Sequence, residues 1–173
     1  MSWKSSTAVV HKLSGVEIDT ALIRIAKQHR WITSASFTAG VLSARIRQAE
    51  WPLTVDQHNI IHMARAAAII DQLCRVAIHA SVKWGDDESW GTIRHTADEH
   101  ANMIPSFEKL ELWINPEDYA GRMTRSRVRA EYLGIGEHGL TATMTQEDRK
   151  CPVQFTATVQ LGMALSRHWQ GQG

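Results

Sequence analysis

The chain has 173 residues, 43% of them hydrophobic and 21% charged, a composition typical of a globular protein and not of a disordered one. Nineteen basic side chains balance eighteen acidic ones, so the net charge of +1 gives no overall field that would attract nucleic acid or an anionic membrane. No apolar run approaches the roughly 18–20 residues that span a bilayer, and the amino terminus lacks the apolar core of a signal peptide. We therefore expect one globular domain over residues 1–173, in the cytoplasm and without a membrane partner.

The cysteines predict no disulfide framework. Cys74 and Cys151 are far apart in the sequence, and neither belongs to a Cys-x-x-Cys motif. Cys74 lies in a long apolar run, which is typical of a buried free thiol.

Two helices are predicted in the first fifty residues. The first runs from about Val16 to His29, with Ser14 as its N-cap and Glu17 near its positive end. The segment 7–10 before it has the composition of a short strand or an ordered arm. The second helix runs from Phe37 to Glu50 and ends before a Trp-Pro pair, because proline disfavours helix in the residue that precedes it.

The clearest helical pattern covers Val55 to Lys83. Thr54 is a good N-cap, and Gly85 follows the last turn. Apolar residues at helical spacing form a continuous stripe: Val55, Met63, Ala66, Ile70, Leu73 and Ala77. Because this helix is apolar over much of its circumference, we expect it to be central, with the other elements packed around it.

The pattern changes along the second half of the chain. A helix is predicted from Asp86 to about Met103, and alternation over 109–114 then predicts a strand. The Asn115-Pro116 pair opens another predicted helix, which continues to Leu133. The segments 140–145 and 153–161 alternate apolar and polar residues, which predicts two further strands.

These elements together predict an α+β fold. We expect a helix-rich single domain around the long central helix, with a small antiparallel sheet near the carboxyl terminus. The alternative is an all-α bundle, which would form if residues 160–169 were helical and drew the segment before them into the same helix.

An arginine-rich segment supplies the leading functional hypothesis. Arg122, Arg125 and Arg129 would share one ridge of the predicted helix, and Arg127 lies among them. A row of guanidinium groups on a rigid element suits phosphate or carboxylate partners, since each group can bind two oxygens. The hypothesis is a non-enzymatic regulator, or a small subunit of a larger assembly, that binds a nucleic-acid backbone or an acidic protein surface. The alternative for these arginines is a solvated or salt-bridged helix face.

A second hypothesis is a metal-dependent enzyme. His58 and His62 stand four positions apart on the central helix, a spacing that can supply two metal ligands. A third ligand would come from the next helix, where the candidates are His95, Glu99, His100 and Asp98. The ordinary alternative is a pair of histidines at the boundary of the apolar stripe, without a metal.

The remaining function classes lack their motifs. The sequence contains no phosphate-binding loop, no dinucleotide fingerprint and no nucleophile elbow, so we expect no cofactor. The seven tryptophans mostly stand at the ends of predicted elements. Exposed ones among them would suit a third hypothesis, a structural interaction module that forms a homo-oligomer or joins a complex.

Overall fold

The computed structural model describes residues 8–47, 58–94, 104–114, 123–136 and 139–162. Seven strands and three α-helices lie within these residues. The strands are β1 (His11–Leu13), β2 (Ile32–Thr38), β3 (Val41–Ile46), β4 (Ile104–Ile114), β5 (Arg125–Gly136), β6 (Gly139–Gln146) and β7 (Val153–Gly162). The helices are α1 (Gly15–Ala21), α2 (His58–Trp84) and α3 (Asp87–Arg94), and a 3₁₀ turn covers Lys27–His29.

The seven strands form one antiparallel sheet in the order β1-β2-β3-β5-β6-β7-β4. Strands β2 and β3 are joined by Ala39 and Gly40, whose φ angles of 47° and 78° are those of a tight hairpin turn. Helices α2 and α3 follow β3 in sequence, and the chain then enters the sheet at its opposite edge as β4.

Helix α2 packs on the sheet over most of its width. It contacts β2, β3, β5 and β4, so its packing surface reaches from the second strand of the sheet to the far edge.

The core lies between α2 and the inner face of the sheet. Ile70, Leu73 and Val76 of α2 have no exposed surface, and neither have Leu42 of β3 and Val128 of β5. A buried glutamine, Gln72, ties the chain before β2 to the helix. Its Oε1 accepts from the backbone N–H of residue 31 at 2.7 Å, and its Nε2 donates to the backbone carbonyl of residue 29, also at 2.7 Å.

Helix α1 is fastened to the end of α2. Ser14 and Glu17 form a reciprocal capping box, and the Lys83 ammonium donates to Glu17. The hydrogen bond from Lys83, followed by the backbone bond from Ser14, lowers the pKa of Glu17 to about 2. On the other side of the same corner, His11 stacks on Trp84 with ring centroids 5.0 Å apart.

The prediction of a helix-rich or all-α fold is wrong, because the strands of one seven-stranded sheet contain more of the described residues than the helices do. The central helix itself lies close to where the sequence placed it, as α2. The predicted strands at 109–114, 140–145 and 153–161 are present as parts of β4, β6 and β7. They belong to a seven-stranded sheet, which is larger than the small carboxyl-terminal sheet that was expected.

Two predicted helices are strands. The segment 37–50 contains the end of β2, the tight turn and β3, and residues 48–50 lie outside the described part. Leu42, Ala44 and Ile46 are buried in alternation with exposed Ser43 and Arg45, which is the period of a strand. The segment predicted as a helix up to residue 133 is β5 from residue 125, and 115–122 lie outside the described residues.

The first predicted helix was too long, and the end of the helix predicted from Asp86 falls outside the described residues. Helix α1 ends at Ala21, well before His29, and α3 is described only to Arg94, with 95–103 outside the description. The predicted short strand or arm at 7–10 is not a strand at 8–10, and β1 begins at His11. Within the described chain, no helix has both the length and the apolar character needed to cross a bilayer.

Candidate functional site

The described arginines of the arginine-rich segment lie on a strand. Arg125, Arg127 and Arg129 alternate along β5 with buried residues, so all three point to the outer face of the sheet, away from α2. Residues two apart on one face of a strand are about 6.8 Å apart along it. Arg122 lies outside the described residues. The predicted ridge of Arg122, Arg125 and Arg129 required helical spacing, which a strand does not provide.

One of the three arginines is neutralised within the chain. The Nε of Arg129 donates to the carboxylate of Glu147, which follows β6. Arg125 and Arg127 form no ion pair with any carboxylate in the described part of the chain. The arginines that remain available are therefore at the start of β5, next to β3.

Neighbouring strands add cations and small polar side chains to Arg125 and Arg127. Across the sheet, Arg127 pairs with Ser43, which pairs with Ser36, which pairs with Lys12 of β1. In the next row, Arg125 pairs with Arg45 of β3, and Arg45 pairs with Ser34. The strand register thus gathers four cations from β1, β3 and β5 around three serines.

These residues line a shallow groove of about 620 Å³, here called the basic groove. Its lining comprises Lys12, Leu13, Ser34, Ala35, Ser36, Ser43, Ala44, Arg45, Arg125, Ser126, Arg127 and Asp148. The small side chains between the cations leave the space open. Four basic groups and one carboxylate leave the groove with a net charge of +3.

The charges of the basic groove suit an anionic ligand. Lys12 and Arg45, like Arg125 and Arg127, form no ion pair with a carboxylate among the residues that the structure describes. Like charges held on adjacent strands repel one another, and a bound anion would remove that repulsion. Guanidinium groups bind phosphate or carboxylate oxygens in pairs, and serine hydroxyls can donate to the same oxygens.

The predicted metal ligands are not brought together in the described residues. His95 and Glu99 lie outside them, and so do the side chains of His58 and His62 at the start of α2. Among the described residues, no group of three or more histidine, cysteine, aspartate or glutamate side chains could hold a metal ion. The metal site stays a prediction.

Sequence reasoning missed most of the basic groove. The sequence pattern does not point to Lys12, Ser36, Ser43 or Arg45, because these residues lie on β1, β2 and β3, which the pattern does not predict as strands. The alternation Arg125-Ser-Arg-Val-Arg-Ala-Glu-Tyr was the available signal, since it has the two-residue period of a strand.

Comparison with known proteins gives no family. No protein-family model matches the sequence, and no curated protein matches it. Among solved structures, a candidate thioesterase from Syntrophus aciditrophicus SB has a TM-score of 0.49 at 11% identity, covering 86% of this chain and 94% of that one. The dehydratase domain of PpsC from Mycobacterium tuberculosis, in complex with C12:1-CoA, has a TM-score of 0.47 at 12% identity. That match covers 91% of this chain and 54% of the other.

A second structure of the PpsC dehydratase domain gives the same TM-score at 13% identity, covering 88% of this chain and 51% of the other. Likeness at this level identifies neither a family nor an activity. The architecture of the chain itself is hot-dog-like, because one antiparallel sheet packs against one long helix.

The hypothesis of a non-enzymatic, nucleic-acid-associated regulator with an Arg-rich helix is wrong. The segment from residue 125 is a strand of a sheet-dominated protein, and Arg129 is paired with Glu147.

Proposed function

We propose that this protein is an enzyme whose substrate is a phosphate-bearing small molecule, with an acyl thioester of a phosphorylated carrier as the substrate class. The observation that carries the proposal is the basic groove. Lys12, Arg45, Arg125 and Arg127 line it, and none of them pairs with a carboxylate of the described chain. Phosphate groups suit such a cluster, because their oxygens can accept paired hydrogen bonds from guanidinium groups.

The size of the groove supports a small ligand. Its volume of about 620 Å³ lies within the range of roughly 300–1,000 Å³ that is usual for small-molecule sites. The cations come from three strands of one sheet, so their backbone positions are fixed by the ladder of hydrogen bonds. A site on such a rigid element holds its charged groups in place before the ligand arrives.

The acyl-thioester substrate class is the part of the proposal that the basic groove does not support by itself. One dehydratase domain similar in structure to this chain was solved with C12:1-CoA, a thioester whose carrier bears phosphate groups. A ligand of that chemistry would match the charge of the basic groove. The reaction therefore needs a test separate from the test of binding.

Binding is tested by calorimetry with coenzyme A and with pantetheine, which has the same thiol arm but no phosphate. The wild type should bind coenzyme A at least about tenfold more tightly, and the preference should fall as salt is added. The double variant R45A/R127A should lose that preference. R24A removes an exposed arginine that does not line the groove, so it should behave as the wild type. Equal affinity for the two ligands, or an unchanged preference in R45A/R127A, would reject the phosphate site.

Catalysis is tested by following thiol release from acyl-CoA thioesters and hydration of 2-enoyl-CoA thioesters. We expect turnover of one of these substrates, with an increase in KM in R45A/R127A because the substituted residues bind the carrier and not the reacting atoms. No turnover above the buffer rate with either substrate class would reject the proposed reaction.

We further propose that the protein works in the cytoplasm, where thiols stay reduced. Cys74 and Cys151 are both free and buried. Burial in apolar surroundings raises the pKa of both thiols, which keeps them protonated and unreactive. Localisation of a tagged chain by cell fractionation would check this, and recovery outside the cytoplasm would contradict it.

A further inference from the structure

A second groove lies on the same outer face of the sheet, around Trp113 of β4. This Trp113 groove holds about 370 Å³, and the side chains that matter for a ligand are Trp113, Glu111, Thr145, Gln154 and Thr156. Trp113 is 59% exposed and lies near the end of β4, which is an edge strand of the sheet. A large aromatic ring left open beside polar side chains offers a flat surface on which another ring can stack.

The polar side chains of the Trp113 groove can accept hydrogen bonds. The Nε2 of Gln154 donates to the backbone carbonyls of Asp148 at 2.9 Å and Cys151 at 2.8 Å. Because both donors of its amide are used, the atom that Gln154 can offer a ligand is the Oε1 acceptor. Glu111 adds a carboxylate, of which Oε1 is paired with the ammonium of Lys109 at 2.9 Å and the second oxygen is the acceptor left for a ligand. The threonines add hydroxyl groups. The groove therefore suits a flat ring that carries N–H donors.

The two grooves are neighbours across one turn. Asp148 lines the basic groove, and its carbonyl accepts from Gln154 of the Trp113 groove. The backbone N–H of Glu147, in the same turn, donates to the carbonyl of Arg127 at 2.7 Å. Gln154 in turn pairs with Trp113 across β7 and β4.

The separation of the grooves fits one ligand. From Arg127 on β5 to Trp113 on β4 there are three strand intervals, or about 14 Å between backbones. The long side chains at both ends can shorten that gap. A nucleoside diphosphate has the right order of groups, since its phosphates and its base lie at opposite ends of a sugar.

We propose that the Trp113 groove binds the nucleobase of the ligand whose phosphates lie in the basic groove. This rests on the proposed function, because it assigns the phosphates to the same cations. It adds the ligand class, a free nucleotide or a carrier that contains one. Trp113 stacks on the base, while Gln154 and Glu111 accept hydrogen bonds from its N–H groups.

The test compares the calorimetric affinities of ADP and inorganic pyrophosphate. The wild type should bind ADP about tenfold or more above pyrophosphate, which is the size expected for stacking of one base. W113A should lose this preference and keep its affinity for pyrophosphate, so that pyrophosphate binding also reports correct folding. W113F should retain most of the preference, because its ring still stacks. L133A, which removes a side chain with the same 59% exposure outside both grooves, should leave both affinities unchanged.

The outcomes separate this inference from the proposed function. If pyrophosphate binds and R45A/R127A abolishes that binding, but ADP binds no more tightly than pyrophosphate, the Trp113 site is rejected and the basic groove stands. If ADP keeps its preference in W113A, the base lies elsewhere and the inference is equally rejected. If pyrophosphate does not bind the wild type, the proposed function fails. A change of oligomeric state in W113A, seen by light scattering with unchanged ADP preference, would assign Trp113 to contact between copies of the chain.

Discussion

The inner and outer faces of the same strands differ in composition and in role. On β5, Val128 has no exposed surface and packs in the core beneath α2, whereas Arg127, one residue earlier, lies exposed on the outer face. The inner face is apolar and closed by the helix. The outer face carries basic groups that are left without a carboxylate partner in the described chain. A single step along a strand therefore separates residues that stabilise the fold from residues that are free to bind a ligand.

The largest effect should come from the inner face. Leu73 of α2 is fully buried in the core, so Leu73→Ala removes apolar contacts and leaves a cavity. We expect a loss of about 3–4 kcal/mol in the free energy of unfolding. Urea denaturation measures it, with L133A as the exposed control that should change the free energy by less than about 0.5 kcal/mol. Equal losses in the two variants would contradict the assignment of α2 to the core.

Val128 and Arg127 are adjacent on β5 and allow the inner and outer faces of the sheet to be compared directly. Val128→Ala should cost about 2 kcal/mol, because it removes buried methyl groups without touching the outer face. Arg127→Ala should leave the free energy of unfolding nearly unchanged, since the side chain is exposed and forms no ion pair in the described chain. Coenzyme A binding should respond in the opposite way: R127A should weaken it, and folded V128A should leave it unchanged. A V128A variant that lost affinity while remaining folded would show that the two faces are coupled.

A smaller effect is expected where α1 begins. Ser14→Ala removes the hydroxyl that caps α1 and should cost about 1 kcal/mol. Thermal unfolding at neutral pH measures it, and S14T, which keeps a hydroxyl, should restore most of the loss. No difference between S14A and the wild type would show that the capping box contributes nothing to stability.

The contribution of Glu17 to stability should depend on pH in a defined direction. Folding lowers the pKa of Glu17 from 4.5 to about 2, so the folded state favours its ionised form. The stability that this provides is fully present above about pH 4.5, and it is lost as the pH falls from there towards 2. E17Q should therefore melt a few degrees below the wild type at pH 7, and the two melting temperatures should converge near pH 2. A difference that stayed constant with pH would exclude the ionised carboxylate as the cause.

The sequence predicted α2 and the carboxyl-terminal strands well, for a physical reason. The stripe of Ile70, Leu73 and Ala77 has helical spacing, and β7 alternates without interruption from Val153 to Gln160. A long segment with a single period is compatible with only one type of secondary structure. The segment 37–50 is short and rich in alanine and arginine, residues compatible with both a helix and a strand. Its strand state is decided by pairing with β2 and β5, which are contacts that local spacing does not contain.

The site was less predictable than the fold. Arg125, Arg127 and Arg129 were recognised as candidates, but their partners could not be known without the register. Register brings Arg45 beside Arg125 and Lys12 into the row of Arg127, although these residues are distant in the sequence. It also places Glu147 near Arg129, which removes that arginine from the free cations.

The most direct test of the central claim is a crystal structure of the protein with coenzyme A. If the outer face is the binding face, phosphate oxygens will lie about 2.7–2.9 Å from guanidinium nitrogens of Arg45 and Arg127. Phosphates bound at another surface, with the basic groove left to solvent, would contradict it.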